Sequence, residues 1–313
     1  MSGEIKQLLI IPHIKVHNAN ALSSPFTIGF PAMTAWLGAT HALQRQLNAA
    51  GFDALKFSAT AVISHQCDLQ THRGVGDYVD SIIGTGNPLD KTGARSAFIE
   101  EARCHLDVSL LIEYAGITKD DEQQLLDKIT HLLNANIKIA GGDILGFKPP
   151  ETLKIEEGVE KDLRKLTRKL MPGYAIMERR ELMQEAMEQG QDAIDALLDY
   201  LAIHHNCEQD DEGNVSWTSY RKTKGWIVPI ATGFHGISEL GTAKNQRDPD
   251  TPHRFAESVL TLGEFKMPHS IKSINEILWQ YHVEEENNLY LCQHNKNELT
   301  DNQTVNDLSE LFI

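Results

Sequence analysis

LLIIPHIKVHNANALSSPFTIGFPAMTAWLGATHALQRQL, residues 8–47, is the stretch whose reading decides the fold. Leu8, Ile10, Ile14 and Val16 alternate with Leu9, Ile11, His13 and Lys15, a period of two that predicts a strand. Pro12 falls inside it; proline has no N–H to give a ladder, so a bulge is expected there. Asn18 to Pro25, followed by Gly29-Phe30-Pro31, reads as a polar, turn-rich connection. Trp36, Leu37, Thr40, Leu43 and Leu47 then recur at the three- and four-residue steps of an amphipathic helix. The connection is longer than a strand-to-helix link requires, and such loops on a rigid scaffold commonly carry ligand contacts.

Working outward, Ser58–Leu69 predicts a second strand and His105–Tyr114 a third, with Leu106, Val108, Leu110 and Ile112 on one face. Between them runs a glycine-rich excursion, Arg73 to Arg95, too long for a hairpin turn. Thr118 is expected to cap a helix whose buried stripe is Leu125, Leu126, Ile129, Leu132 and Leu133. Ile137–Leu145 gives a Gly-Gly turn flanked by apolar residues, the fourth strand. The order β-α-β, excursion, β-α-β is that of a ferredoxin-like, RNA-recognition-type domain, here residues 1–148 with a thumb insertion at about 70–100.

Pro149-Pro150 marks the boundary to a helical and mixed C-terminal portion, residues 149–313, so the fold class is α+β. Val159, Leu163, Leu166 and Leu170 predict a helix ending at Pro172-Gly173. A second helix is expected from about Arg180 to His204, broken at Gly190, then an acidic loop at 207–216 and extended chain over Trp217–Ile230. Thr251-Pro252 opens a predicted helix through Leu262; Ile271, Ile274, Ile277, Leu278 and Tyr281 predict another. The polar residues at the C-terminus are expected to fray.

The 41% hydrophobic and 23% charged residues are those of an ordinary globular protein. No apolar run reaches membrane-span length and Met1–Gln7 has no signal-peptide pattern, which leads us to expect a cytoplasmic protein with no membrane partner. Four isolated cysteines without a CxxC pair speak against a zinc centre or a disulfide scaffold. His13 and His17 share a strand face and His204-His205 are adjacent, but no third ligand stands at metal-site spacing, so no metal or cofactor is expected.

A net charge of −15 counts against promiscuous nucleic-acid binding, because phosphates require a basic surface. The charge is uneven, however. Between Lys161 and Lys169 only Asp162 opposes Lys161, Arg164, Lys165, Arg168 and Lys169, a stripe suited to phosphate contact. Arg221, Lys222 and Lys224 beside Trp217, Tyr220 and Trp226 are a weaker signal of the same kind. The tetrad Asp90–Gly93 (DKTG) occurs in P-type pumps, but without membrane helices it reads as turn chemistry. Gly84-Thr-Gly86 lacks the ending of a phosphate-binding loop. His17 beside Asn18–Asn20 can read base edges or merely cap the loop.

Taken together, Asn18–Pro25 with Gly29-Phe30-Pro31, Glu100-Glu101-Ala-Arg103, Ala140-Gly141-Gly142, Leu166–Leu170 and Gly225-Trp226-Ile-Val-Pro229 resemble, in that order, one family. It is the RAMP-superfamily subunit of the type I-F CRISPR surveillance (Csy) complex. The resemblance runs from about Leu8 to Tyr290. It implies a modified RNA-recognition fold, a hold on the 5′ handle of the crRNA, a heterodimer with the large subunit, and contact with the first backbone subunit. Target DNA is a further candidate partner. It also implies a non-catalytic role, guide cutting being the work of a separate subunit, and no catalytic constellation is evident in the residues. The RNA-binding residues expected are His17, Asn18, Asn20, Ser24 and Thr27 of the first loop, Arg73 and Arg95 of the thumb, Arg103, Gly141 and Gly142, and the basic helix residues Lys161, Arg164, Lys165, Arg168 and Lys169. The alternative is a metal-independent endoribonuclease using His17, His65 or His105 as base or acid.

Overall fold

The opening alternation becomes a 16-residue strand, β1 (Ile5–Asn20), that runs through the middle of the molecule. The computed structural model describes residues 4–294 apart from 84–88, 90, 95–100, 211–212, 245, 247 and 249. After β1 come β2 (Leu22–Ser24), β3 (Thr27–Ile28), α1 (Met33–Ala49), β4 (Lys56–Leu69), β5 (Thr71–His72) and β6 (Ser81–Ile82). Next are β7 (Arg103–Ala115), α2 (Glu122–Ala135), β8 (Lys138–Ile139) and β9 (Gly142–Gly146). The second half adds β10 (Glu151–Glu156), α3 (Glu160–Leu170), β11 (Tyr174–Glu178), α4 (Arg180–Glu188) and α5 (Ala193–Leu201). It closes with β12 (His204–Gln209), β13 (Val215–Tyr220), β14 (Trp226–Gly236), β15 (Ala256–Lys266), β16 (Trp279–Glu284) and β17 (Leu289–His294).

One large antiparallel sheet runs β11-β15-β14-β17-β16-β4-β7-β1-β9-β8, with β10 also paired to β1. It crosses the Pro149-Pro150 boundary, since β10 lies on β1 while β16 and β11 lie on β4. The four strands expected from the sequence stand side by side in it in the order β4, β7, β1, β9, every neighbouring pair antiparallel.

Two cores flank the centre of the sheet. Leu9, Ile11, Ile14 and Val16 pack with β7 residues Leu106, Val108 and Leu110 under α1 and α2. Leu8, Ile10, Ala61, Ile63 and Leu111 pack on the other face against Leu166 and Leu170 of α3. This corrects the expected alternation of β1. The register to β7 shifts between Ile11 and Ile14, a bulge at Pro12-His13, and the extra residue moves Ile14 and Val16 onto the face of Leu9 and Ile11.

Other local expectations also change. Asn18–Asn20 close β1 after a second register shift, with Asn18 at φ +59°, and β2 and β3 form a small hairpin where a loop was expected. Thr118 does not cap α2; its hydroxyl bonds Asp121 Oδ2 at 2.6 Å, and Asp121 holds the cap position. The helix from Arg180 breaks at Gly190 into α4 and α5 as expected, but it ends at Leu201, and His204 opens β12. The acidic loop at 207–216 is largely the β12–β13 hairpin. The helix expected from Thr251 to Leu262 is instead β15, because Val259 to Leu262 find antiparallel partners on β14. The apolar series from Ile271 makes two single 3-10 turns, Pro268–Ser270 and Ile274–Glu276, before entering β16. In the first case pairing to a neighbouring strand overrides the helical period; in the second, pairing begins only at Trp279, and Ile271, Ile274, Ile277 and Leu278 are buried in the core on the α3 side. The last ten or so residues, expected to fray, lie outside the described residues.

Candidate nucleic-acid interface

The face of the sheet that α3 covers is covered only in part. Beyond the Pro12-His13 bulge, β1 turns His13, Lys15 and His17 to that face, and β7 adds Arg103, His105, Asp107 and Ser109 at every second position. Their neighbours Ile14, Val16, Cys104, Leu106 and Val108 are buried on the helix side. The result is a polar end to a face that Leu8, Ile10, Ile63 and Leu111 make apolar elsewhere on the same strands.

Two stacked imidazole pairs organise it. His13 and His65 stack with centroids 4.1 Å apart and planes 18° apart; His17 and His105 stack at 4.4 Å and 25°. His13 N–H donates to Ser109 Oγ at 3.0 Å, and Ser109 Oγ lies 2.6 Å from His65 Nε2. His65 Nδ1 meets the Pro172 carbonyl just past the end of α3. A carbonyl only accepts, so Nδ1 carries the proton and Nε2 accepts from the serine hydroxyl. Burial holds the His65 pKa below its ordinary 6.5, which keeps this neutral chain intact. Gly173 is part of the same joint: a Cβ there would stand 2.7 Å from Ile63 Cγ2 and 2.8 Å from His65 Nδ1.

Sequence spacing offers no third metal ligand, yet the fold brings ligand-type atoms of His13, His65 and Asp107 within 4.8 Å of one another. The near-parallel rings direct their in-plane nitrogens along separate lines, not toward one ion. His13 Nδ1 also spends its proton on Asp107 Oδ1, 3.0 Å away. The cluster is therefore built as a hydrogen-bond chain.

Several of the expected site residues gather at this end. Asn18 N–H donates to His105 Nδ1 at 3.2 Å, and the Gln70 amide bridges Asn18 Oδ1 and His105. Asn20 stands opposite Arg103 in register. Its side chain is committed locally, accepting from Leu22 N–H and donating to the Leu22 carbonyl, which realises the capping alternative. Arg103 pairs with Glu101 at 2.7 Å, and its buried Nε has no partner among the described residues. Ala140 and Gly141, both with positive φ, make the two-residue turn between β8 and β9. Gly141 has open space where a Cβ would be, whereas a Cβ on Gly142 would lie 2.7 Å from the His17 carbonyl. Gly142 thus serves close packing of its own chain.

The remaining expectations fall elsewhere. Ser24 and Thr27 are buried and bonded to each other at 2.8 Å, closing the hairpin turn. Arg73 donates to the carbonyls of Asp77 and Tyr78 and so ties its own loop. Arg95 lies outside the described residues. On α3, Arg164 pairs with Glu160 and Lys169 with Glu151, while exposed Lys161, Lys165 and Arg168 have no ion pair among the described residues.

His13, Lys15, Gln70, Asp107 and Ser109 join the site without having been expected in it. For all but Gln70, which lies between β4 and β5, the signal is the polar half of the alternation in β1 and β7, which the one-residue shift at the bulge conceals. Beside His65 opens a cavity of about 330 Å³ lined by Phe30, Tyr174, Trp226 and Phe265 together with Thr27 and Gln66. Aromatic walls with a few polar groups suit a planar base.

The model for the family described as CRISPR-associated protein (Cas_Csy2) matches residues 9–292. A relative from Pseudomonas aeruginosa (strain UCBPP-PA14), named CRISPR-associated protein Csy2, is 34% identical over 310 residues, covering 90% of this chain and 94% of that protein.

Proposed function

The chain belongs to the CRISPR-associated Csy2 family, and from that premise we propose that it is the non-catalytic guide-RNA-binding subunit of a type I-F CRISPR surveillance complex. In this reading it caps the 5′ handle of the crRNA and pairs with the large subunit. The strand order β4-β7-β1-β9 with two helices on one face supports the ferredoxin-like, RAMP-type assignment. No helix among the described residues is long and apolar enough to cross a membrane.

The observation that carries the reading is the uncovered end of the sheet. It offers exposed Lys15 and His17, Arg103 with a buried Nε unpaired among the described residues, and an aromatic-lined cavity beside His65. Single-stranded RNA is held by this combination: cations for phosphate, stacking surfaces and pockets for splayed bases. The test is affinity of the protein with its large-subunit partner for a handle RNA and for an unrelated RNA of equal length. Preference for the handle, reduced by Trp226→Ala and Arg103→Ala, is the expected result. Equal affinity for both RNAs, or an RNA-free complex from cells, defeats the reading.

The clustering of His13, His17, His65 and His105 favours the endoribonuclease as the second reading. Against it, both ring nitrogens of His65 are engaged and the rings face one another rather than an open groove. Incubation with repeat RNA in EDTA decides between them: a specific cut abolished by His17→Ala or His105→Ala makes the chain a nuclease.

A further inference from the structure

The four cysteines stand far apart in the sequence, yet the fold makes neighbours of two. Cys67 of β4 lies opposite Leu106 of β7, and Cys104 of β7 lies opposite Leu69 of β4. Opposed residues of an antiparallel ladder share a face, so both cysteines are on the helix side of the sheet, at diagonal positions. There the two thiols form a hydrogen bond. They differ in access: Cys104 is fully buried, whereas Cys67 is exposed and lines the cavity beside His65. Cys207, the other exposed cysteine, faces Trp217 across the β12–β13 hairpin, and buried Cys292 faces Tyr281.

The chemistry of the pair divides along the same line. The hydrogen bond with Cys104 holds the Cys67 thiol below its ordinary pKa. That hydrogen bond, burial and the charge of the Cys67 thiolate push the Cys104 thiol up. A thiolate is the nucleophile, so the exposed member reacts first and the buried one keeps its proton. The pair also stands at the root of the glycine-rich excursion, where the Gln70 N–H donates to the Arg103 carbonyl at 2.8 Å.

We propose that Cys67 and Cys104 are a reversible oxidative modification site, at which a peroxide oxidises Cys67 and Cys104 then closes a disulfide on it. In the first step the Cys67 thiolate attacks one peroxide oxygen and the O–O bond breaks. Hydroxide leaves, solvent protonates it to water, and Cys67 becomes a sulfenic acid. In the second step the Cys104 sulfur attacks Cys67 Sγ and the S–O bond breaks. The departing oxygen takes the Cys104 proton and leaves as water. The two sulfurs give up two electrons in all, and these reduce the peroxide. Loss of the Cys67 charge in the first step removes one of the causes that hold the proton on Cys104. A diagonal pair is wider than an unstrained disulfide prefers, so the bond is readily reduced, the property of a switch and not of a structural staple. Closing it ties β4 to β7 at the root of the excursion and draws the Cys67 sulfur away from the cavity wall.

The test treats the full chain with equimolar hydrogen peroxide, then counts thiols in the denatured protein and maps its peptides without reduction. The reduced chain carries four thiols. The oxidised chain should lose two of them and yield a peptide pair linked through Cys67 and Cys104, which dithiothreitol separates. Cys67→Ser should lose none of its remaining thiols under the same treatment. Cys104→Ala should stop at the sulfenic acid, trapped on Cys67 by dimedone. Circular dichroism verifies that each variant is folded; if the buried substitution prevents folding, Cys67→Ser at its exposed position decides alone. Absence of the linked pair, a link through Cys207 in its place, or equal thiol loss in Cys67→Ser overturns the proposal. Folded Cys104→Ala without a dimedone adduct on Cys67 overturns it as well.

Discussion

One face of the central sheet has two halves built from the same three strands. Toward the start of β1, Leu8, Ile10, Ile63 and Leu111 are fully buried beneath α3 and the segment from Ile271 to Leu278. Past Pro12, the same face carries exposed Lys15 and His17 and half-buried His13, His105 and Asp107. The joint between them is where His65 grips the Pro172 carbonyl. Whether a strand position is apolar here is decided by the element placed over it. The covered half contributes stability, and the open half is free to bind.

This division can be broken most decisively at Leu166 and Leu170, which are 1% and 0% exposed. Truncating either to Ala should cost about 2–5 kcal/mol in denaturant unfolding. Handle affinity per folded molecule should not change; if it falls while the fold holds, the two halves are not separate. Gly173→Ala comes next, at about 1–3 kcal/mol, because the added methyl meets Ile63 and His65 and neither side of the joint is loose. In the open half, Lys15→Ala should leave stability within about 0.5 kcal/mol. It should flatten the plot of log affinity against log salt by about 0.7 for each phosphate no longer neutralised. The same slope measured for Lys161→Ala, Lys165→Ala and Arg168→Ala asks whether α3 adds a basic rim to the open half; an unchanged slope assigns those side chains to solvent or to a protein neighbour.

The smallest effect expected concerns acid. Burial lowers the folded-state pKa of His65 below 6.5, so the unfolded chain takes up its proton first as pH falls. Stability from this site is complete above 6.5 and is lost below it. Unfolding midpoints at about pH 7.5 and 5.5 should therefore differ less in His65→Gln than in the parent. An equal difference would place the acid sensitivity elsewhere.

Much of this architecture was legible in the residues. Alternation at Leu106, Val108 and Leu110, the stripe in α2 and the stop after Leu170 are local patterns, and each element formed where its pattern lay. Apolar runs such as Leu8–Ile11 and Leu110–Ile112 also carried the information that both faces are covered, because a run without polar interruption suits a doubly buried strand. Thr251–Leu262 misled for a physical reason: its apolar spacing fits a helix, but β14 offered an open ladder; in Ile271–Tyr281 only the residues from Trp279 on found ladders, on β17 and β4.

The site divides the same way. Composition and order determined an α+β chain, a bulge at Pro12, a basic helix over 160–170 and the family. Only the tertiary structure decided that His13, His65, Asp107 and Ser109, up to 96 positions apart, form one chain of hydrogen bonds. It likewise decided that Asn20, Ser24 and Thr27 spend their side chains on their own turns. The reason is that periodicity records which face of an element is apolar, while antiparallel pairing and the shift of one residue at a bulge determine which distant strands share that face.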